Sequence, residues 1–193
     1  MSEPPETGCI ERREIYDGRI VRLSVDRVRF PDGSTGELEM IRHSGAAAVV
    51  PVAGSPDDAD PEILLVRQYR YAAGGYLLEV PAGRPQRVGE PWELCARREL
   101  EEETGMRCER LVPMTAIYTT PGFTDELIHL FLALDLTPGT TALDPDEFIE
   151  VERMPLSRAI EAIQTGGIVD AKTICALMYA AAFLVRGALP VAG

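Results

Sequence analysis

A run of charged residues in the middle of the chain restricts its fold more than any other feature. Residues 98–106 read Arg-Glu-Leu-Glu-Glu-Glu-Thr-Gly-Met, and they follow Glu90 after seven residues. On an α-helix, Glu99, Glu102 and Glu103 occupy positions i, i+3 and i+4, so their carboxylates project from one face within about one turn. Like charges at this spacing repel one another unless a cation lies between them. The pattern therefore predicts a helix with a cation-binding face.

The residues on either side of this run predict where the helix begins and ends. Pro91 is tolerated in a first turn, where its missing N–H is no loss. Gly105 can adopt the left-handed conformation that closes a helix at its C-terminus. We therefore expect a helix over residues 91–104, and before it a strand over residues 76–80 that leads into a turn at residues 81–83.

Composition and charge exclude several classes of protein. The chain has 193 residues, of which 46% are hydrophobic, and this suits one domain or one domain with a small appendage. The formal net charge of -12 argues against a nucleic-acid partner, because phosphate backbones are bound by clustered Lys and Arg. A phosphate-bearing ligand must then be bound locally, by metal ions and by individually placed arginines.

The cysteines and the apolar runs bear on location. The four cysteines lack the spacing of a zinc site or a redox dithiol. Residues 1–7 contain no apolar signal core, and the longest apolar run, residues 174–185, is too short to span a bilayer. We expect a cytoplasmic protein with no membrane partner.

Short apolar segments predict β-structure on both sides of the acidic helix. Residues 8–43 alternate around a Pro-Asp-Gly turn and predict a β-meander. Strands are expected at residues 46–52, 63–69, 111–118, 127–134 and 148–152, and helices at residues 156–164 and 171–185. This order predicts an α/β fold, an α/β/α sandwich around a mixed sheet. Residues 1–44 would form a small N-terminal β extension, and residues 45–193 the main domain.

The acidic segment resembles the Nudix box, which reads Gly, five residues, Glu, seven residues, Arg-Glu-U-x-Glu-Glu-x-Gly-U, where U is aliphatic. From Glu90 to Met106 every fixed position agrees. The first glycine departs from the pattern, since Gly83 lies one residue too early and the loop before Glu90 is one residue longer. An extra loop residue leaves the helix register intact, so the metal-binding face should be retained.

Two further motifs resemble the ADP-ribose pyrophosphatase branch of this family. Residues 79–83 read Glu-Val-Pro-Ala-Gly, which is similar to the Glu-x-Pro-Ala-Gly motif before the box in that branch. Pro121 lies sixteen residues after Gly105, where the branch has a proline.

The resemblance implies a Nudix fold and metal-dependent hydrolysis of the pyrophosphate bond of ADP-ribose or a related nucleoside diphosphate sugar. The products would be a nucleoside monophosphate and a sugar phosphate, and the cofactor Mg²⁺, with Mn²⁺ as an alternative. It also implies a homodimer, in which the N-terminal strands contact the neighbouring subunit and help bind its substrate. Two alternatives stay open: hydrolysis of another diphosphate (GDP-mannose, ADP-glucose or a dinucleotide), and a non-catalytic nucleotide-sugar sensor.

The resemblance also assigns roles to residues. The metal ligands would be the three glutamates already described, together with the carbonyl of Ala82. Arg98 would orient carboxylates of the box through bidentate hydrogen bonds, and Glu102 would also take part in catalysis. Glu147 is the predicted general base, with Asp146 and Asp144 as alternatives.

Substrate contacts are predicted for four residues outside the helix. Arg70, after a strand, resembles the phosphate-binding arginine of the branch, and Glu79 resembles a residue near the ribose. Arg67 and Pro121 complete the predicted set. The base-stacking residue is left open, because Leu38 occupies a position where some relatives carry an aromatic ring.

Overall fold

The structure is a computed structural model that describes residues 7–143 and 148–183. Its strands are β1 Gly8–Asp17, β2 Arg22–Arg29, β3 Thr35–Arg42, β4 Ala46–Ala53, β5 Glu62–Arg70, β6 Gly75–Glu79, β7 Ala82–Gly83, β8 Met106–Tyr118, β9 Leu127–Pro138 and β10 Ile149–Pro155. Its helices are α1 Trp92–Thr104, α2 Leu156–Gln164 and α3 Ala171–Phe183. The predicted elements are all present, and most differ from the prediction only at their ends.

Seven strands form the main sheet, in the order β10-β5-β4-β9-β8, with β6 paired to β5 and β7 paired to β4. Strand β4 runs parallel to β9 but antiparallel to β5 and β7. The predicted mixed sheet is therefore confirmed.

Strand β4 is buried on both faces, because its side chains alternate between two hydrophobic cores. Ala48 and Val50 belong to the core that also contains residues of α2 and α3. Ala47 and Val49 belong to a smaller core that contains Leu100 of α1. One helix thus covers one face of the sheet and two helices cover the other, which confirms the predicted α/β/α sandwich.

Helix α1 begins and ends close to where the sequence predicts. Pro91 is its N-cap, and Gly105 is its C-cap with φ of 68°. The Gly105 N–H donates to the carbonyl of Glu101 at 2.9 Å, so the left-handed turn satisfies a carbonyl of the last turn. Because α1 runs without interruption between these two caps, Glu99, Glu102 and Glu103 lie on one face of the helix, as predicted.

The N-terminal strands form a separate three-stranded antiparallel sheet in the order β1-β2-β3, which is the predicted meander. Among the described residues, 7–45 and the segment Tyr118–Leu127 form one compact unit, and the others form a second. Within the first unit the buried carboxylate of Asp26 accepts hydrogen bonds from Arg12 and pairs with Arg42. Burial alone raises the pKa of Asp26, but these partners outweigh it and lower the pKa to about 2.

None of the helices within the described residues has the length and apolar character that crossing a membrane requires.

Candidate active site and metal centre

The predicted glutamates lie on the side of α1 that faces β7. Glu99 and Glu103 are 7% and 3% exposed, and the side chain of Glu102 is 29% exposed. Oε2 of Glu103 accepts a hydrogen bond from the backbone N–H of Ala82 at 3.1 Å. The helix and the short strand are therefore joined at the residue whose carbonyl is a predicted metal ligand.

Gly83 provides the space that the carboxylate of Glu99 occupies. A Cβ atom at Gly83 would lie 2.1 Å from Oε1 of Glu99 and 2.4 Å from Oε2. These separations are far below van der Waals contact, so only glycine allows this side chain its observed position. The glycine that departs from the box spacing is thus the one that contacts the acidic helix.

Arg98 connects the carboxylates of the box to the loop before the helix. Its Nη1 donates to Oε1 of Glu99 and to Oε2 of Glu102, both at 2.7 Å. Its Nη2 donates to the carbonyl of Arg84 at 2.9 Å. Burial alone lowers the pKa of Arg98, but the nearby carboxylates outweigh it and raise the pKa, so the guanidinium is charged. In these bonds one nitrogen bridges two carboxylates, which differs from the predicted bidentate geometry, and the orienting role stays a prediction.

The longer loop before Glu90 is also held against the helix. The N–H of Gln86 donates to Oε2 of Glu90 at 2.7 Å, and Nη2 of Arg98 lies 3.6 Å from the same oxygen. The extra residue is therefore accommodated without breaking the contact between Glu90 and Arg98.

The donor set fits a hard divalent cation. The three carboxylates and the carbonyl of Ala82 offer only oxygen ligands, which is the chemistry that Mg²⁺ prefers. Among the described residues, no three His, Cys, Asp or Glu side chains already converge on one point as a metal cluster. Arg98 bridges two of the carboxylates, and Glu103 is turned to the amide of Ala82. Such a face suits an ion that keeps several waters and substrate phosphates among its ligands.

A second group of charged side chains lies where β5, β6 and the start of α3 meet. Glu79 is 1% exposed, and its two oxygens accept hydrogen bonds from Nε and Nη2 of Arg70, both at 2.8 Å. Nζ of Lys172 also binds Oε2 of Glu79. Burial alone raises the pKa of Glu79, but Arg70 and Lys172 outweigh it and lower the pKa. Glu79 is therefore a buried, charged carboxylate between two cations.

The first turn of α3 extends this group of charges. Nζ of Lys172 lies 3.0 Å from Oδ2 of Asp170, and the same oxygen accepts hydrogen bonds from the N–H of Thr173 at 3.0 Å and from its hydroxyl at 2.6 Å. The Thr173 hydroxyl oxygen in turn accepts from the N–H of Val80 at 2.9 Å. Sequence reasoning missed Asp170, Lys172 and Thr173; the available signal was that Lys172 is the only lysine in the chain.

The segment 79–83 joins the two groups of side chains. Glu79 and Val80 are held by the start of α3, and Ala82 and Gly83 by the acidic face of α1.

Hydrogen bonds to Glu79 raise the pKa of Arg70 most strongly, burial lowers the pKa, and the charge of Glu103 raises it further. Arg70 therefore lies within electrostatic reach of the predicted metal face.

Arg67 is placed apart from this cluster. Its Nη1 lies 3.6 Å from the carboxylate of Glu150, and its guanidinium lies 4.7 Å from the centre of the Tyr76 ring. Its predicted substrate contact stays a prediction.

Two other predicted residues, Pro121 and Glu147, keep their roles as predictions. Pro121 lies in an exposed turn between β8 and β9, within the first compact unit. Glu147, like its alternatives Asp144 and Asp146, lies outside the described residues.

Fold and site together define a class of protein: an α/β/α sandwich in which a glutamate-bearing helix faces a glycine-containing strand, with oxygen ligands suited to divalent cations. A family model described as the NUDIX domain matches residues 43–177. The chain therefore belongs to the Nudix family, whose hydrolases generally depend on divalent metals.

Several known proteins are similar to this chain over most of its length. A methanol dehydrogenase activator of Bacillus methanolicus is 39% identical over 176 residues, which cover 90% of this chain and 92% of that protein. An ADP-ribose pyrophosphatase of Bacillus subtilis strain 168 is 38% identical over 176 residues, which cover 90% of this chain and 92% of that protein. The crystal structure of an ADP compounds hydrolase matches with a TM-score of 0.75 at 21% identity, covering 93% of this chain and 94% of that one. The structural match confirms the predicted fold.

Proposed function

We propose that this protein is a Mg²⁺-dependent pyrophosphatase that hydrolyses ADP-ribose or a related nucleoside diphosphate sugar. The observation that carries the proposal is the acidic face formed by Glu99, Glu102 and Glu103 against the strand Ala82–Gly83. The similarity to an ADP-ribose pyrophosphatase over 90% of the chain supports the choice of substrate.

The acidic face would hold the cation through its three carboxylates and the carbonyl of Ala82, with Mn²⁺ as an alternative to Mg²⁺. When bound, such an ion neutralises phosphoryl oxygens and lowers the pKa of a water ligand. Arg98 keeps two of the carboxylates in a fixed orientation through its hydrogen bonds. The chain thus supplies oxygen ligands for a cation, and the positive charge of that cation would attract a negatively charged diphosphate.

The remaining proposed roles concern the substrate and the proton. Arg70 binds a phosphate, and Glu79 fixes the direction of its guanidinium. Water adds across the P–O–P linkage, so that its oxygen bonds to one phosphorus and the bridging oxygen leaves with the other. Glu147 is the proposed acceptor of the water proton, with Asp146 and Asp144 as alternatives.

We expect the purified protein to release AMP and ribose 5-phosphate from ADP-ribose when Mg²⁺ is present, and to stop when EDTA removes the metal. A panel of ADP-glucose, GDP-mannose and a dinucleotide, compared by kcat/KM, identifies the preferred diphosphate. A protein that binds ADP-ribose but releases no AMP with Mg²⁺ or Mn²⁺ would be a sensor instead. The presence of all three carboxylates, Glu99, Glu102 and Glu103, argues against a sensor, because a protein that binds a nucleotide sugar without hydrolysing it does not require all three.

We also propose a homodimer formed through the N-terminal strands. Strand β1 is exposed along its whole length, and its side chains Ile10, Ile15 and Tyr16 are 46%, 48% and 59% exposed. A small sheet with exposed apolar side chains gains stability from a further surface that covers them.

The cytoplasmic location of the protein stays a prediction.

Analytical ultracentrifugation at micromolar concentration should therefore show a dimer. Ile15→Asp, which places a charge on the exposed strand, should shift the protein toward the monomer. A wild-type monomer under these conditions would refute the dimer.

A further inference from the structure

We propose that Lys172 is a positioning residue for diphosphate binding: together with Arg70 it balances the charges of Glu79 and Asp170, and so prevents a net negative charge beside the phosphate that Arg70 would bind. The inference rests on the proposed function, because it takes Arg70 as a phosphate-binding residue. It assigns a role to the only lysine in the chain, which lies 93 residues after Glu79.

Glu79 is buried, and Asp170 places a second carboxylate close to Lys172, so one cation does not balance the group. A carboxylate that is 1% exposed has lost its hydration and must be compensated by the protein. Arg70 contacts both oxygens of Glu79, and Lys172 adds its contact to Oε2. With Arg70 as the only cation, the two carboxylates of Glu79 and Asp170 would exceed it by one negative charge.

The sum of charges shows what Lys172 changes. Arg70 and Lys172 carry one positive charge each, and Glu79 and Asp170 carry one negative charge each, so the group is neutral. Without the Lys172 ammonium the group would carry one net negative charge beside the proposed site. A diphosphate carries negative charges of its own, so this excess should weaken its binding.

The surroundings of Lys172 make this charge effective. Its side chain is 12% exposed, whereas Arg70 is 39% exposed and can still be reached from solvent. Interactions among buried charges are screened much less by salt than those on the surface. Lys172 is therefore built into the group of charges, while Arg70 stays accessible to a ligand.

The test compares Lys172→Met with a double variant that restores neutrality. Methionine keeps an unbranched apolar stem but removes the charge. In the double variant Lys172→Met/Asp170→Asn, the charges of Arg70 and Glu79 remain and again sum to zero. Asparagine is as favourable as aspartate at the N-cap of a helix, so the second substitution should not destabilise α3. Asp170→Asn alone is the matched control, because it makes the group more positive and keeps the ammonium of Lys172, although it alters the side chain that Nζ contacts.

The primary measurement is the Kd of α,β-methylene-ADP, a diphosphate that cannot be cleaved between its phosphorus atoms, by calorimetry with Mg²⁺ present. We expect Lys172→Met to weaken binding about tenfold or more, as for the loss of a charge-assisted contact. The KM for ADP-ribose should rise in parallel, and kcat should change by less than roughly threefold. The double variant should recover wild-type Kd to within roughly threefold, Lys172→Arg should resemble the wild type, and Asp170→Asn should bind at least as tightly.

Three results would overturn the inference. The first is an unchanged Kd in Lys172→Met. The second is a double variant that binds no better than Lys172→Met, because the role would then be a contact and not a charge. The third is a wild-type protein that does not bind α,β-methylene-ADP at all. A purely structural lysine would lower Tm and leave Kd and KM unchanged. Failure of the wild type to hydrolyse ADP-ribose, with binding of the probe intact, would count against the proposed function alone.

Discussion

Replacing Glu103 by glutamine should reduce the turnover of ADP-ribose by at least about 100-fold, more than the usual loss for residues that only support a metal ligand. Glu103 is 3% exposed and accepts the N–H of Ala82. Glutamine has the same size and a similar helix propensity, and its carbonyl oxygen can still accept that hydrogen bond. The substitution therefore removes one negative charge from the proposed metal face and leaves the packing intact.

Glu101→Gln is the matched control for this variant. It makes the same chemical change on the same helix, but Glu101 pairs with Arg107 at 2.6 Å and accepts the N–H of Thr140, away from the proposed site. We expect Glu101→Gln to keep near wild-type turnover. Rates are measured across a Mg²⁺ titration, and Tm confirms that each variant is folded. A Glu103→Gln protein with near wild-type kcat at saturating Mg²⁺ would remove Glu103 from the metal face.

The second large effect is expected for Gly83→Ala, which should lower kcat/KM about 10-fold to 100-fold with little change in Tm. The new Cβ would lie 2.1 Å from Oε1 of Glu99. The atoms it meets are the far end of a flexible side chain, so the carboxylate moves and the fold stays intact. A displaced carboxylate should also raise the Mg²⁺ concentration needed for half-maximal activity.

Gly75→Ala tests whether any glycine substitution in a strand would do the same. A Cβ at Gly75 in β6 has no heavy atom within 4 Å, so this variant should behave as the wild type. If Gly83→Ala keeps both the rate and the Mg²⁺ dependence of the wild type, the position of the Glu99 carboxylate is not critical.

Local features of the sequence were sufficient to predict the central helix. The spacing of three glutamates, a proline before the helix and a glycine after it act within a few residues of each other, and the structure has α1 at Trp92–Thr104. The strands were predicted in the same way from short apolar segments bounded by turns, and the structure has β4 at Ala46–Ala53. That its side chains alternate between two cores appears only in the folded chain.

The contacts that build the proposed site depend on pairs of residues that are distant in the chain. Periodicity assigns a residue to a face of its own element, but it does not say which other element will cover that face. The close approach of Glu99 to Gly83, and the contact of Lys172 with Glu79, arise only when α1 and α3 pack on opposite ends of the segment 79–83. The sequence by itself thus determined the acidic helix and the layered fold. The tertiary structure decided which glycine makes room for a carboxylate and which lysine balances a buried glutamate, because those interactions exist only between surfaces that packing brings together.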